Sequence, residues 1–175
     1  MKVRAVPAVL ILACAATACT PVLDWREVRP EGAGLVTLFP CKPAGYARRV
    51  PLAGMTVEML LSACSAGAVT YAVGYADIGQ PQLVARALDE LVAAAARNIG
   101  ATGAQASTPL LVEGMTPNPQ AGRRAFAGQL SDGLRVEEQV AVFVRGTRVY
   151  QATVVGARLD VEAVETFFGA LRLPA

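Results

Sequence analysis

Apolar and polar positions along the chain alternate in the rhythm of strands, interrupted twice by the longer period of an amphipathic helix. Pro21 to Pro30 runs from a short tether into a strand, and the Glu31-Gly32-Ala33-Gly34 break precedes Leu35-Val36-Thr37-Leu38-Phe39. Arg48 to Leu52, Ala53-Gly54 and Met55 to Cys64 then read as a hairpin, with Met55, Val57, Met59 and Leu61 on one face and Thr56, Glu58 and Ser62 on the other. After the Ser65-Ala66-Gly67 turn, Val69, Tyr71, Val73 and Tyr75 share a face whose reverse carries Ala72, Gly74 and Ala76. Small residues on that reverse face suit close packing of a helix. The tyrosines predict a buried sheet face rather than an aromatic ligand shelf.

A helix is predicted from Pro81 to Ile99. Proline suits its first turn and Gly100 its C-terminal cap. Leu83, Val84, Ala87, Leu88, Leu91, Val92, Ala95 and Ile99 form one stripe, with Gln82, Arg86, Asp89, Glu90 and Arg97 largely off it. Ala101 to Ser107 reads as a loop. Strand signals resume at Pro109 to Gly114 and again at Arg123 to Leu130, where Asp132-Gly133 turns the chain into an alternating strand from Leu134 to Arg145. Gly146 leads into Thr147 to Val155, and a final helix starts at the N-cap Asp160, burying Val161, Val164, Phe167, Phe168 and Leu171. Strand pairs joined by tight turns make the sheet antiparallel. The expected fold class is α+β, an antiparallel β-sheet with one long and one short C-terminal helix packed on it.

The first residues follow a different pattern. Lys2 and Arg4 precede an uncharged apolar run from Ala5 to Ala16, too short to span a bilayer and followed by small residues, as in a secretory signal. It resembles a bacterial lipoprotein signal peptide, in which the cysteine after the small residues is lipidated and becomes the mature N-terminus. Cys19 follows Ala15-Ala16-Thr17-Ala18 and fits that role. Cys14, after Ile11-Leu12-Ala13, competes for it, but cleavage there leaves an apolar segment of only about nine residues. The organisation expected is a signal peptide over 1–18, a lipidated N-terminus and tether over 19–33, and a single domain over 34–175. Thr20, where inner-membrane lipoproteins carry Asp, favours the outer membrane. No later apolar run approaches the roughly twenty residues of a membrane span.

Removing the leader takes two of the 16 Lys and Arg residues and none of the 14 acids, so the remainder is formally neutral. Neither nucleic acid nor a strongly charged partner is implied. Two cysteines are then left, Cys41 and Cys64, each closing an apolar run, and an oxidising compartment predicts that they pair. The chain has no histidine, which removes the commonest general base and transition-metal ligand. No nucleophile elbow, phosphate-cradling loop or calcium loop is present. No catalytic residue, cofactor or metal is therefore expected. Arg48-Arg49 and Arg123-Arg124 are candidates for anion binding, each offering one outward charge on a strand. Trp25, the only tryptophan, is expected to pin the start of the domain to the core. The Pro- and Gly-rich stretch from Gly114 to Gly122 is a candidate contact surface or a rigid connection.

The succession Leu38-Phe39-Pro40, Tyr71 to Asp77 before the long helix, the Gly114 strand, Arg145 to Gln151 and Phe167-Phe168-Gly169-Ala170-Leu171-Arg172-Leu173 resembles the PsbP-like (DcrB-like) fold. Cys19, Asp24-Trp25-Arg26-Glu27-Val28 and Phe39-Pro40-Cys41 also resemble uncharacterised proteobacterial lipoproteins. The resemblance implies a central antiparallel sheet with helices against it and a non-enzymatic accessory or binding role, and carries over no functional residue. The expected function is that of a membrane-anchored periplasmic lipoprotein with an envelope protein partner. The alternative, motivated by Met55, Met59 and the tyrosines, is a binding or transfer module for a lipid or other apolar ligand.

Overall fold

The computed structural model describes residues 23–101 and 106–174. Cys14 and Cys19, with the leader and the lipidation expected there, lie outside the described residues.

The elements follow in chain order as β1 (Arg26–Val28), β2 (Thr37–Phe39), β3 (Ala44–Leu52), β4 (Met55–Ala66), β5 (Val69–Asp77), α1 (Val84–Asn98), β6 (Gly122–Gln129), β7 (Arg135–Arg145), β8 (Arg148–Gly156) and α2 (Val161–Gly169). Six strands make one antiparallel sheet in the order β3-β4-β5-β8-β7-β6. Two meanders, one before α1 and one after it, meet along β5 and β8, from Val69 opposite Gly156 to Asp77 opposite Arg148. β1 and β2 form a separate antiparallel pair.

Strand alternation distributes the apolar residues between two cores. On one face Val57, Met59, Ala76, Val140, Val142 and Val149 meet Ala87, Leu88, Leu91 and Ala95 of α1. On the other, Tyr71, Val73, Phe143, Tyr150 and Val154 meet Phe39 of β2 and Phe167 and Leu171 at α2. The two helices thus cover opposite faces. Each fully buried aliphatic or aromatic side chain stabilises the fold by about 1.5–3 kcal/mol relative to exposure. α1 begins after a 3-10 turn over Pro81–Leu83, and Asp160 caps α2 by accepting from the Ala163 N–H at 2.8 Å.

Four expectations change, one of them at Val161, which is expected in the core and is 73% exposed in the first turn of α2. The folded unit starts before residue 34, because β1 pairs with β2, Ala33 is fully buried and Leu23 and Trp25 pack on the core. Residues 109–114 form no strand. Prolines flank that stretch and Val112 N–H points to the Met115 sulfur, so the backbone makes only isolated bridges. Of the small residues on β5, Ala76 lies in the core under α1, while Ala72 and Gly74 line an open hollow beside its C-terminal end.

The sheet has two distinct ends. At one, Asp24 N–H donates to Pro40 O at 2.8 Å, Trp25 meets Tyr71 edge-on at 6.2 Å, and Cys41 and Cys64 are bonded at 2.05 Å. α2 starts there, just after β8 ends. At the other end lie the turns at Gly54 and Gly146 and the C-terminus of α2.

Candidate functional site

The segment from Ser107 to Ala121 arches over the C-terminal end of α2 and encloses an open groove of about 1060 Å³. Its feet are fixed. Thr108 exchanges backbone hydrogen bonds with Arg123 at 2.8 and 3.0 Å, Thr116 N–H donates to Val144 O at 2.7 Å, and Ala121 N–H to Asn118 O at 3.0 Å. In the middle, Leu173 N–H donates to Glu113 O at 2.8 Å. Gly114 makes that approach possible, for it holds φ +78° and a Cβ there would stand 2.0 Å from Leu173 O. Pro109, Pro117 and Pro119 remove backbone freedom from the rest of the arch.

This anchoring divides three consecutive apolar residues. Val112 is buried in the core, Leu110 is half-buried against it, and Leu111 points outward with 94% of its surface exposed. An aliphatic side chain held in water on a stiff arch gains nothing for the fold. Below it the groove is walled by Met115, Ala121, Gly169, Ala170 and Leu171. Its two charged lining residues are Glu113 and Arg172, and Arg172 is engaged by Glu27 at 2.6 Å. Hydrogen bonding from Arg29, supported by Arg172, holds the Glu27 carboxyl below its ordinary range against an upward push from burial.

At the outer side of the arch, Arg123 lies over the Phe168 ring at 4.3 Å. Its guanidinium grips both oxygens of Glu165, at 2.8 and 3.1 Å, and donates to Gln139 at 2.6 Å. That grip holds the Glu165 carboxyl below its usual range. Arg123 is therefore a structural clamp joining β6 to α2, with its charge already matched. Arg124 is half-buried on the opposite face of β6. Arg48 and Arg49 are both exposed, because edge strand β3 leaves both faces to water; they and Pro51 blunt the edge. None of the four arginines converges with another on a shared anion site.

Cys41 and Cys64 are joined, as expected. Trp25 packs on Tyr71 and pins the N-terminal segment. Met59, Tyr71 and Tyr75 are core residues, and the Tyr75 and Tyr150 hydroxyls donate to Glu31 O at 2.6 Å and Ala33 O at 2.7 Å. Met55 and Tyr75 also line an open recess beside Gly32 and Arg148. Among the described residues no cluster of three or more His, Cys, Asp or Glu is arranged to hold a metal, and no helix is long and apolar enough to cross a membrane.

Sequence reasoning singled out Gly114 to Gly122 but missed Leu111, the residue that stands out most. The available signal was the Leu110-Leu111-Val112 run itself. Three adjacent apolar residues between prolines cannot all face one core. No family model matches this chain, and no curated protein matches it.

Proposed function

We propose that this chain is a non-enzymatic lipoprotein of the bacterial envelope, held at the periplasmic side of a membrane through lipidated Cys19, that docks an apolar segment of a partner protein at the groove beneath Leu111. The observation that carries the reading is Leu111 itself, an aliphatic side chain 94% exposed on a proline-stiffened arch beside an apolar groove. Pre-organised apolar contacts of this kind lower the ordering cost of association. The groove has no unpaired cation and a single carboxylate, so an uncharged aliphatic segment is the occupant its chemistry favours.

The tether agrees with this placement. Only three residues separate Cys19 from Leu23, a reach of about 14 Å over four Cα steps when fully extended. A domain held so short presents its Trp25 and disulfide end to the membrane. The groove, at the other end of α2, then faces away from it. Thr20 favours the outer membrane, and the order of strands, long helix, strands and terminal helix supports the finer reading of a PsbP-like fold.

A photo-crosslinking amino acid at position 111, in intact cells, is expected to capture one envelope protein. The same group at Tyr46, which is 55% exposed on edge strand β3, should not capture it. Leu111→Asp should weaken the pairing by about tenfold or more, the loss of one buried leucine. A fatty-acid probe should label the chain, and Cys19→Ala should abolish the label. Equal capture from positions 111 and 46, or none, overturns the docking site; a label that survives Cys19→Ala overturns the tether. The groove volume also favours a second reading, an apolar ligand such as an acyl chain. Bound lipid in the mass spectrum of gently extracted protein, lost in Leu111→Asp, would select it.

A further inference from the structure

A second recess lies on the α1 face of the sheet, apart from the groove. α1 crosses the sheet obliquely, from Ala53, whose N–H donates to Glu90 at 2.6 Å, to the end of β6, where Gln129 N–H donates to Ile99 O at 2.6 Å. The corner formed by β4, β5 and β8 beside its C-terminal end stays uncovered. Ala72 and Gly74 keep the floor of this corner low, and Leu61, Ile99, Leu130 and Val155 form its apolar walls, enclosing about 310 Å³. Into it from β7 comes Glu138.

Glu138 is the notable group. The alternation Val136, Glu138, Val140, Val142, Val144 puts a carboxylate on a strand face that otherwise enters the core. It is 4% exposed, and its Oε2 has no hydrogen-bond partner. An unmatched buried carboxyl costs roughly 1–3 kcal/mol or more. The other polar groups of the recess are Asn98, Gln151 and Thr153, with Gln151 donating to the Thr153 hydroxyl at 3.1 Å, so the free Gln151 carbonyl remains an acceptor. No Lys or Arg lines the recess. Arg124, diagonal to Glu138 on the same face of β6 and β7, has a buried Nη1 with no hydrogen-bond partner, yet it makes no hydrogen bond to Glu138 and does not line the recess.

We propose that this recess is a binding site for a small primary ammonium compound, whose nitrogen is held by Glu138 and whose compact hydrocarbon body lies over Ala72 and Gly74. An acceptor-rich, cation-free pocket with one unsatisfied carboxylate is complementary to an N–H-rich cation. The apolar walls leave room for a hydrocarbon portion and offer no second charge.

The probe is phenethylammonium, titrated into the full-length protein in detergent micelles and followed by the amide resonances of Gly74 and Thr153, with neutral 2-phenylethanol as the control. Saturable shifts are expected with the amine, and about tenfold weaker binding with the alcohol. Glu138→Gln should weaken the amine about tenfold or more while leaving the alcohol unchanged. Ala72→Leu, which fills the floor without touching the carboxylate, should abolish both. The absence of saturable shifts, or equal amine affinity in wild type and Glu138→Gln, overturns the site. If Glu138→Gln does not fold, Ala72→Leu decides alone, and undiminished amine binding in it refutes the assignment.

Discussion

Glu138 and Leu111 are the two residues that contradict their surroundings, one a carboxyl in a core and one an aliphatic in water. Burial pushes the Glu138 carboxyl up to about 7. An unfolded glutamate titrates near 4.3, so between about pH 4.3 and 7 the folded chain keeps a proton that the unfolded chain has released. Stability is therefore full below the unfolded pKa, falls as pH rises through that window, and levels off above 7. The whole fall is about 4 kcal/mol. Urea unfolding at pH 5 and pH 8 should show it, and Glu138→Gln should remove most of the difference; an unchanged slope in the variant would assign the titration elsewhere. The position was legible, since the Leu134 to Arg145 alternation puts residue 138 on the apolar face. Leu111 was hidden by the same reasoning, which read 109–114 as a strand and so had no outward apex to offer.

Among the elements, those with strong local chemistry were readable. Ala53-Gly54, Gly67, Asp132-Gly133 and Gly146 all form turns between paired strands, with φ +80° at Gly54 and φ +88° at Gly133. The α1 stripe likewise follows its sequence period, with Val84, Ala87, Leu88, Leu91 and Ala95 buried. Asp160 caps α2 as expected, and Asp160→Ala should cost about 1 kcal/mol in chemical denaturation. A negligible change would mean that water replaces the cap. The arch escaped detection because its hydrogen bonds go to Leu173, Val144 and Arg123, all remote in sequence. No local pattern encodes such partners.

At the level of the whole molecule, the pairing of β5 with β8 joins two meanders about 80 residues apart, and turn chemistry says nothing about it. The same holds for the placement of the helices on opposite faces. The cysteines were easier, because leaving out Cys14 and Cys19 left a single pair. Their bond closes a loop with a sequence separation of 23 residues, and its reduction should lower stability by about 3 kcal/mol on the chain-entropy account. Trp25 fluorescence, read during urea unfolding with and without reductant, measures this at the end of the molecule concerned. Coincident curves would show that the reduced chain keeps that end closed by packing alone.

The hydroxyls of Tyr75 and Tyr150 that grip Glu31 O and Ala33 O acquire a further meaning in mechanical terms. Tension drawn along the N-terminal segment first meets the Asp24 bond to Pro40 and the Trp25 contact with Tyr71, and then the three-residue pairing of β1 with β2, which opens one rung at a time. Beyond it stand the two tyrosine bonds, together with Arg148 donating to Gly32 O at 2.8 Å, all rooted in the central strands β5 and β8. A pull that peels away β1 is thus arrested at residues 31–33, where the load passes into the two central strands of the six-stranded sheet.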